Sequence, residues 1–224
     1  MPDLAYTLVR SKRKTVALIV QADGSLAVRA PLRLPKRTID EFVASKAAWI
    51  AKQRARLAQR PNPQPPAHRY APGETFWFLG QRYPLEIVTG QRRALELADG
   101  KFRLAARAQP RAAAVFEAWY KEQARRVLAE RVMLAMMQHN LAPKGVRIGS
   151  ARTRWGSCSS KGSLSFTWRL VLAPLEVVDY VVAHELAHLR VHNHSPAFWQ
   201  EVARLMPDYA PRKQWLKVNG RLLI

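Results

Sequence analysis

Two histidines four residues apart with a glutamate beside the first, His184-Glu185-Leu186-Ala187-His188, constrain this chain more than any other stretch. Side chains at that spacing lie one above the other on an α-helix, so His184 and His188 can share one metal ion. At about 100° per residue, Glu185 falls roughly 60° round from His188. That is close enough to hold a metal-bound water without being a ligand. Pro174 opens the helix, and Val177, Val178, Val181, Val182, Leu186 and Leu189 give it an apolar side. The histidines are therefore expected where core meets cleft.

A third ligand is expected just beyond. His194 follows His188 by six residues and precedes Ser195-Pro196, an N-cap with proline at the first position of a helix over Phe198 to Met206. A turn there lets His194 fold back. His192 competes for the role, but on a continued helix it would stand about 12 Å along the axis from His184. His194 is favoured, with His192 expected to face solvent or substrate. Three neutral imidazoles and an open fourth position suit Zn2+. Zinc lowers the pKa of a bound water to about 7 and polarises a carbonyl, leaving Glu185 to take the proton and return it to the leaving nitrogen.

The rest of the chain reads as α+β. Ala5 to Val9 extended by Thr15 to Val20, and Ser25 to Ala30, form a hairpin turning at Asp23-Gly24, with the basic cluster Arg10 to Lys14 read as a solvated loop. A helix follows from an N-cap at Thr38, striped by Ile39, Phe42, Val43, Trp49, Ile50 and Leu57. Pro61 to Pro72, with five prolines and His68, is a loop or linker and a candidate boundary. Short strands between Gly73 and Ala106 read as a small antiparallel sheet. After Pro110 a helix runs to about Asn140, with His139 as a dipole partner or surface residue at its end. Val146 to Ile148 is a strand, and Leu164, Phe166, Trp168 and Leu170 alternate with polar residues as a half-buried one. A last helical segment, about Pro211 to Val218, ends at Gly220. The expected division is a β-rich N-terminal region, 1–108, with one helix and the 61–72 loop, then a catalytic region, 109–224, with a small antiparallel sheet and the active-site helix.

These stretches resemble the YgjP-like metallopeptidases, a family related to the SprT-like and WLM (Wss1-like) zincins. The match is carried by Arg154-Trp155-Gly156-Ser157-Cys158, Asp179-Tyr180-Val181-Val182, the His184 to His188 motif, Asn193-His194-Ser195-Pro196 with Phe198-Trp199, and Met206-Pro207-Asp208. Arg13-Lys14 and Leu79-Gly80 with Tyr83-Pro84-Leu85 are weaker echoes. The resemblance implies a minimal zincin-like catalytic region, with His184, His188 and His194 as zinc ligands and Glu185 as base. It also places Arg152 to Cys158 before an edge strand over the cleft, where Arg154 could steady a carbonyl or phosphate oxyanion. Trp155 and Cys158 are more simply core residues, and an inhibitory Cys158 thiolate is the rival reading. The spacing to His194 equals that of metzincins, but Val191 stands at their turn glycine. A β-branched residue resists positive φ, so a differently built turn is expected, and no Met-turn is found.

Composition bounds the substrate only loosely. With 37 Lys and Arg against 16 Asp and Glu, the 224-residue chain carries a formal charge of +21, a field that attracts polyanions without naming one. No apolar run is long enough to span a membrane, and the N-terminus lacks the apolar stretch of a signal peptide. The single cysteine, Cys158, excludes an internal disulfide and suits a reducing compartment, so the cytoplasm is expected. A zinc-dependent endopeptidase acting on polypeptide is the leading function. A UTP-type nucleoside triphosphate pyrophosphatase keeps the metal and changes the substrate. A SprT-like protease acting beside DNA would use the basic surface for nucleic acid.

Overall fold

A computed structural model describes residues 5–21, 23–58 and 68–223 of the chain. Contacts divide it into two compact units, Met1–Pro63 and Gln64–Ile224. The division falls within the proline-rich stretch, whose residues 61–67 lie outside those described.

The first unit holds β1 (Thr7–Ser11), β2 (Ala17–Val20), β3 (Leu26–Pro31), α1 (Lys36–Ser45) and α2 (Ala47–Ala58). Strand order is β1-β3-β2, with β2 antiparallel to β3 as a hairpin. β1 is not an extension of β2 as expected: it lies parallel to β3 on the other side. Arg10 explains the break. Its Nη1 donates to the carbonyls of Pro31, Leu32 and Leu34 at 3.0, 2.9 and 2.8 Å, clasping the chain after β3. The expected single helix is two, and the first starts at Lys36 after Pro35 rather than at a Thr38 cap. Ile39, Val43 and Ile50 bury against Leu26, Val28 and Ala30, while Trp49 stays 42% exposed.

The second unit begins with β4 (Thr75–Phe78), β5 (Gln81–Val88), β6 (Leu95–Ala98) and β7 (Lys101–Ala105), in the order β4-β5-β7-β6. The sheet is mixed, not antiparallel, because β5 and β7 run parallel. Asp99 and Gly100, both at positive φ, close the β6–β7 hairpin as their sequence predicts. The expected boundary at 108/109 would cut through packing that holds this sheet to the next helix, α3 (Ala112–His139). Phe76 and Phe102 share a core with Phe116, at ring separations of 4.3 and 5.2 Å. Tyr120 donates its hydroxyl to the Trp77 carbonyl at 2.6 Å and stacks on Trp168. The contacts therefore place the sheet with the second unit.

A second mixed sheet, β8-β10-β9, follows α3: β8 (Gly145–Gly149), β9 (Gly156–Cys158) and β10 (Ser163–Thr167). β9 and β10 form a hairpin closed at Gly162, and β8 lies parallel to β10 on its other side, so this sheet too departs from the antiparallel expectation. Trp168 and Leu170, expected to continue the strand, lie in a 3-10 turn over Trp168–Leu172. That turn receives the β4–β5 hairpin. Leu79 and Gly80 donate to the carbonyls of Val171 and Leu172 at 2.8 and 3.3 Å. Both residues have positive φ, and a Cβ on Gly80 would meet the Pro174 backbone at 2.8 Å, so only glycine allows this approach.

Pro174 caps α4 (Leu175–Ala187), and α5 (Pro196–Leu205) and α6 (Tyr209–Asn219) complete the unit. α4 is buried nearly all round rather than on one side: α3, α5, α6 and β9 pack about it, covering Tyr180, Ala183 and Glu185 as well as the valines. Arg131 on α3 ties to Asp179 on α4 by two bonds of 2.5 and 2.8 Å. Arg131→Met is expected to lower the unfolding free energy by about 1 kcal/mol, since the pair is partly solvated. A denaturant titration checks this, and an unchanged midpoint would remove the pair's stabilising role. Among the described residues no helix is long and apolar enough to cross a membrane.

Candidate metal centre

His184 lies in the last turn of α4 and His188 is its C-cap, still at helical φ and ψ. The i, i+4 relation therefore survives although the helix ends there rather than near His192. Leu189 and Arg190 close the end with bonds back to Leu186 and Ala187, and the chain turns out. Val191 is not among the residues at positive φ, so the turn is built without a left-handed position there. Its carbonyl accepts from His188 Nδ1 at 3.0 Å, which fixes the tautomer and leaves Nε2 free to ligate. Asn193 Oδ1 then accepts from the Ser195 amide at 3.2 Å, and α5 starts at Pro196. Ser195 is the N-cap by position, but its side chain makes no capping bond.

This path returns His194 to the end of α4. Ligand atoms of His184, His188 and His194 all lie within 4.8 Å of one another. The Nε2 atoms of His184 and His194 face each other at 3.1 Å. Two imidazole nitrogens on one tetrahedral zinc would stand about 3.3 Å apart, so the cluster fits a metal ion with little movement. His192 is exposed at the cleft rim and outside the cluster. Burial pushes the His184 imidazole down to about 4, with His188, His194 and Lys213 adding to the effect, and burial also lowers His188. Both are neutral near pH 7, the state a metal requires.

Phe198 is the part of the site that the residue pattern did not reveal. Fully buried on α5, it lies 4.9, 4.4 and 4.7 Å from the rings of His184, His188 and His194. All three imidazoles rest on one aromatic floor. Its sequence signals were its place two residues after the α5 proline, which reads as ordinary helix core, and its part in the Phe198-Trp199 pair of the family resemblance, neither of which assigns it to the metal site.

Glu185 faces β9 across a cleft of ≈ 280 Å³ lined by Gly156, Ser157 and Cys158 on one side and the histidines on the other. It is 5% exposed, and burial pushes its carboxyl up to about 7 against the opposing pull of Arg154. Gly156 makes room for it: a Cβ there would sit 2.6 Å from Glu185 Cγ and Oε1. Arg154 is exposed and does not line the cleft, so its reach to the centre is electrostatic. Trp155 packs against the core and over Gly220. Cys158 lines the cleft outside the ligand cluster, and burial and the Glu185 charge raise its thiol pKa, which works against a thiolate.

A family model described as YgjP-like, metallopeptidase domain, matches residues 14–219. No curated protein matches the chain. Among solved structures, the metallopeptidase zymogen abylysin of Pyrococcus abyssi is similar at 22% identity and a TM-score of 0.37, over 42% of this chain and 94% of that one. The zymogen jannalysin of Methanocaldococcus jannaschii is similar at 21% and 0.36, over 42% and 96%.

Proposed function

Because this chain belongs to the YgjP-like metallopeptidase family, we propose that it is a zinc-dependent endopeptidase whose ion is held by His184, His188 and His194, with Glu185 as general base. The observation that carries this reading is the convergence of the three imidazoles beside a buried carboxylate in one cleft. When bound, zinc supplies the Lewis acidity that activates water and polarises the scissile carbonyl near neutral pH. The chain's own residues do the rest. Phe198 and the Val191 carbonyl hold the imidazoles in register. Glu185, poised near pH 7, takes a proton on its carboxylate and passes it to the departing amine.

β9 sets the substrate's form. It is the edge of its sheet, bonded to β10 on one side and lining the cleft with the other residues of the site. An extended peptide can add to that free edge, which favours unfolded segments. Arg154, on the chain entering β9, would steady charge at the carbonyl from outside. The single free cysteine accords with a cytoplasmic setting.

The test uses the full chain loaded with zinc and incubated with denatured casein and, separately, with nucleoside triphosphates. Casein cleavage stopped by a chelator, with one ion per chain lost in His194→Ala and kept in His192→Ala, is expected. Pyrophosphate release without peptide cleavage would replace the peptidase by a pyrophosphatase. Loss of the ion in His192→Ala instead would overturn the ligand set.

A further inference from the structure

Beside the metal cleft, outside the residues that line it, stands an exposed cation with no acidic ion-pair partner among the described residues. Lys213 on α6 holds Nζ 3.4 Å from the centroid of the Trp199 ring. Trp199 stands 5.9 Å from the ring of His184 and 6.1 Å from that of His194. Tyr209 stacks on Trp199 at 5.6 Å, and Tyr180, one turn before His184, stacks on Tyr209 at 6.4 Å and meets His184 edge-on at 6.0 Å. The stack fixes the indole, and the indole fixes the ammonium one ring away from two of the three imidazoles.

Other cations nearby are spent differently. Arg190 and Arg204 both pair with Glu201, and Arg212 pairs with Asp208. Those cations are held by acids of the helix cluster, although two arginines on the one Glu201 leave a net positive charge there. Among the described residues no carboxylate forms an ion pair with Lys213, and a π face holds a cation without cancelling its charge. The cleft offers no other anion near it: Glu185 is the one acid among the lining residues, and it is buried against β9. A positive charge without an acidic partner beside a reaction site attracts an opposite charge on what enters and repels a like one.

We propose that Lys213 is a specificity residue that selects peptides carrying a carboxylate on the side of the scissile bond that lies towards Trp199. This rests on the peptidase reading of the same site. The carboxylate comes either from an acidic side chain or from a free C-terminus, since an ammonium point charge recognises both alike. Arg and Lys side chains are disfavoured at the same position. Lys213 is exposed and stands back from the cleft lining, so it acts on KM more than on kcat and its effect weakens with salt.

The experiment uses the full chain loaded with zinc and one peptide sequence that varies in two ways. Gln, Glu or Lys is scanned on each side of the cleavage point, and the C-terminus is free or amidated. Glu on one side is expected to raise kcat/KM about tenfold over Gln through KM, the gain shrinking in about 0.5 M salt. Lys213→Met should remove the gain with metal content and folding unchanged, and Lys213→Glu should move the preference to the Lys peptide. A gain that follows the scanned residue identifies a side-chain carboxylate, and one abolished by amidation identifies the terminus. The same preference in Lys213→Met, or cleavage by the unaltered protein that is equal for Gln and Glu peptides and equal for free and amidated termini, overturns the proposal alone. Cleavage of none of the peptides overturns the peptidase reading and this one with it.

Discussion

Glu185→Gln is expected to keep both fold and metal while lowering kcat/KM by about 10²- to 10⁴-fold, the usual contribution of a positioned base. The carboxamide matches the carboxyl in shape, so it fits the space opposite Gly156, but it cannot accept a proton from water. Metal analysis beside kinetics separates lost chemistry from lost zinc, and a variant that is metal-replete and active would dismiss Glu185 as the base. The metal-free protein gives a second signature. Burial raises the Glu185 carboxyl from 4.5 to about 7 in the folded chain, so the native state binds the extra proton between those values. Stability therefore falls as pH rises from about 4.5 to about 7 and levels off above that. Glu185→Gln removes this penalty. Metal-free Glu185→Gln should be the more stable of the two at pH 8, by an upper bound of about 3 kcal/mol, and should match the unaltered protein near pH 4.

Gly156→Ala should be nearly as damaging without replacing any residue that ligates or transfers a proton. Its methyl would occupy space 2.6 Å from Glu185 Cγ and Oε1 and 2.8 Å from Cδ. Glu185 is hemmed in on a buried helix, so either the carboxyl swings away or β9 withdraws from the cleft. Overpacking of this kind costs about 1 to 3 kcal/mol. Misplacing a catalytic group by about 1 Å costs on the order of 10²-fold in rate. Kinetics and a denaturant titration would show both losses, with Ser157→Ala as a neighbour that adds no bulk. Unaltered rates in Gly156→Ala would mean that β9 yields freely and does not position Glu185.

The parts of the site that could be read from residues alone were those set by local geometry. The four-residue spacing of His184 and His188 fixes their relation on any helix, and Ser195-Pro196 marks a helix start just after His194. What escaped depends on segments distant in sequence. Phe198 reads as core until the fold brings it under three imidazoles, and Gly156 is only one member of the Arg154 to Cys158 stretch until Glu185 fills the space beside it. The α+β class was legible from the change of period along the chain, but sheet pairing was not. Each of the three sheets contains a parallel pair, β1 with β3, β5 with β7 and β8 with β10, and no local signal distinguishes those from meanders. Trp168 and Leu170 alternate as a strand would, yet both lie in a 3-10 turn that buries Val171 as well, so packing and not a period-2 face accounts for them. The break between α1 and α2 at Lys46 has no glycine or proline to announce it.

The three ligands are not equally prepared for an ion. His184 and His188 ride on a helix enclosed by its neighbours and pinned at its start by the Gly80 approach to Pro174, so they form a ready two-point claw. His194 hangs from an exposed turn. Under the proposed ligand set the claw would offer two fixed nitrogens, and His194, already facing His184, would complete the site with little movement. Release would then begin at His194, so the lifetime of a bound ion would be set by that single exposed arm rather than by the helix.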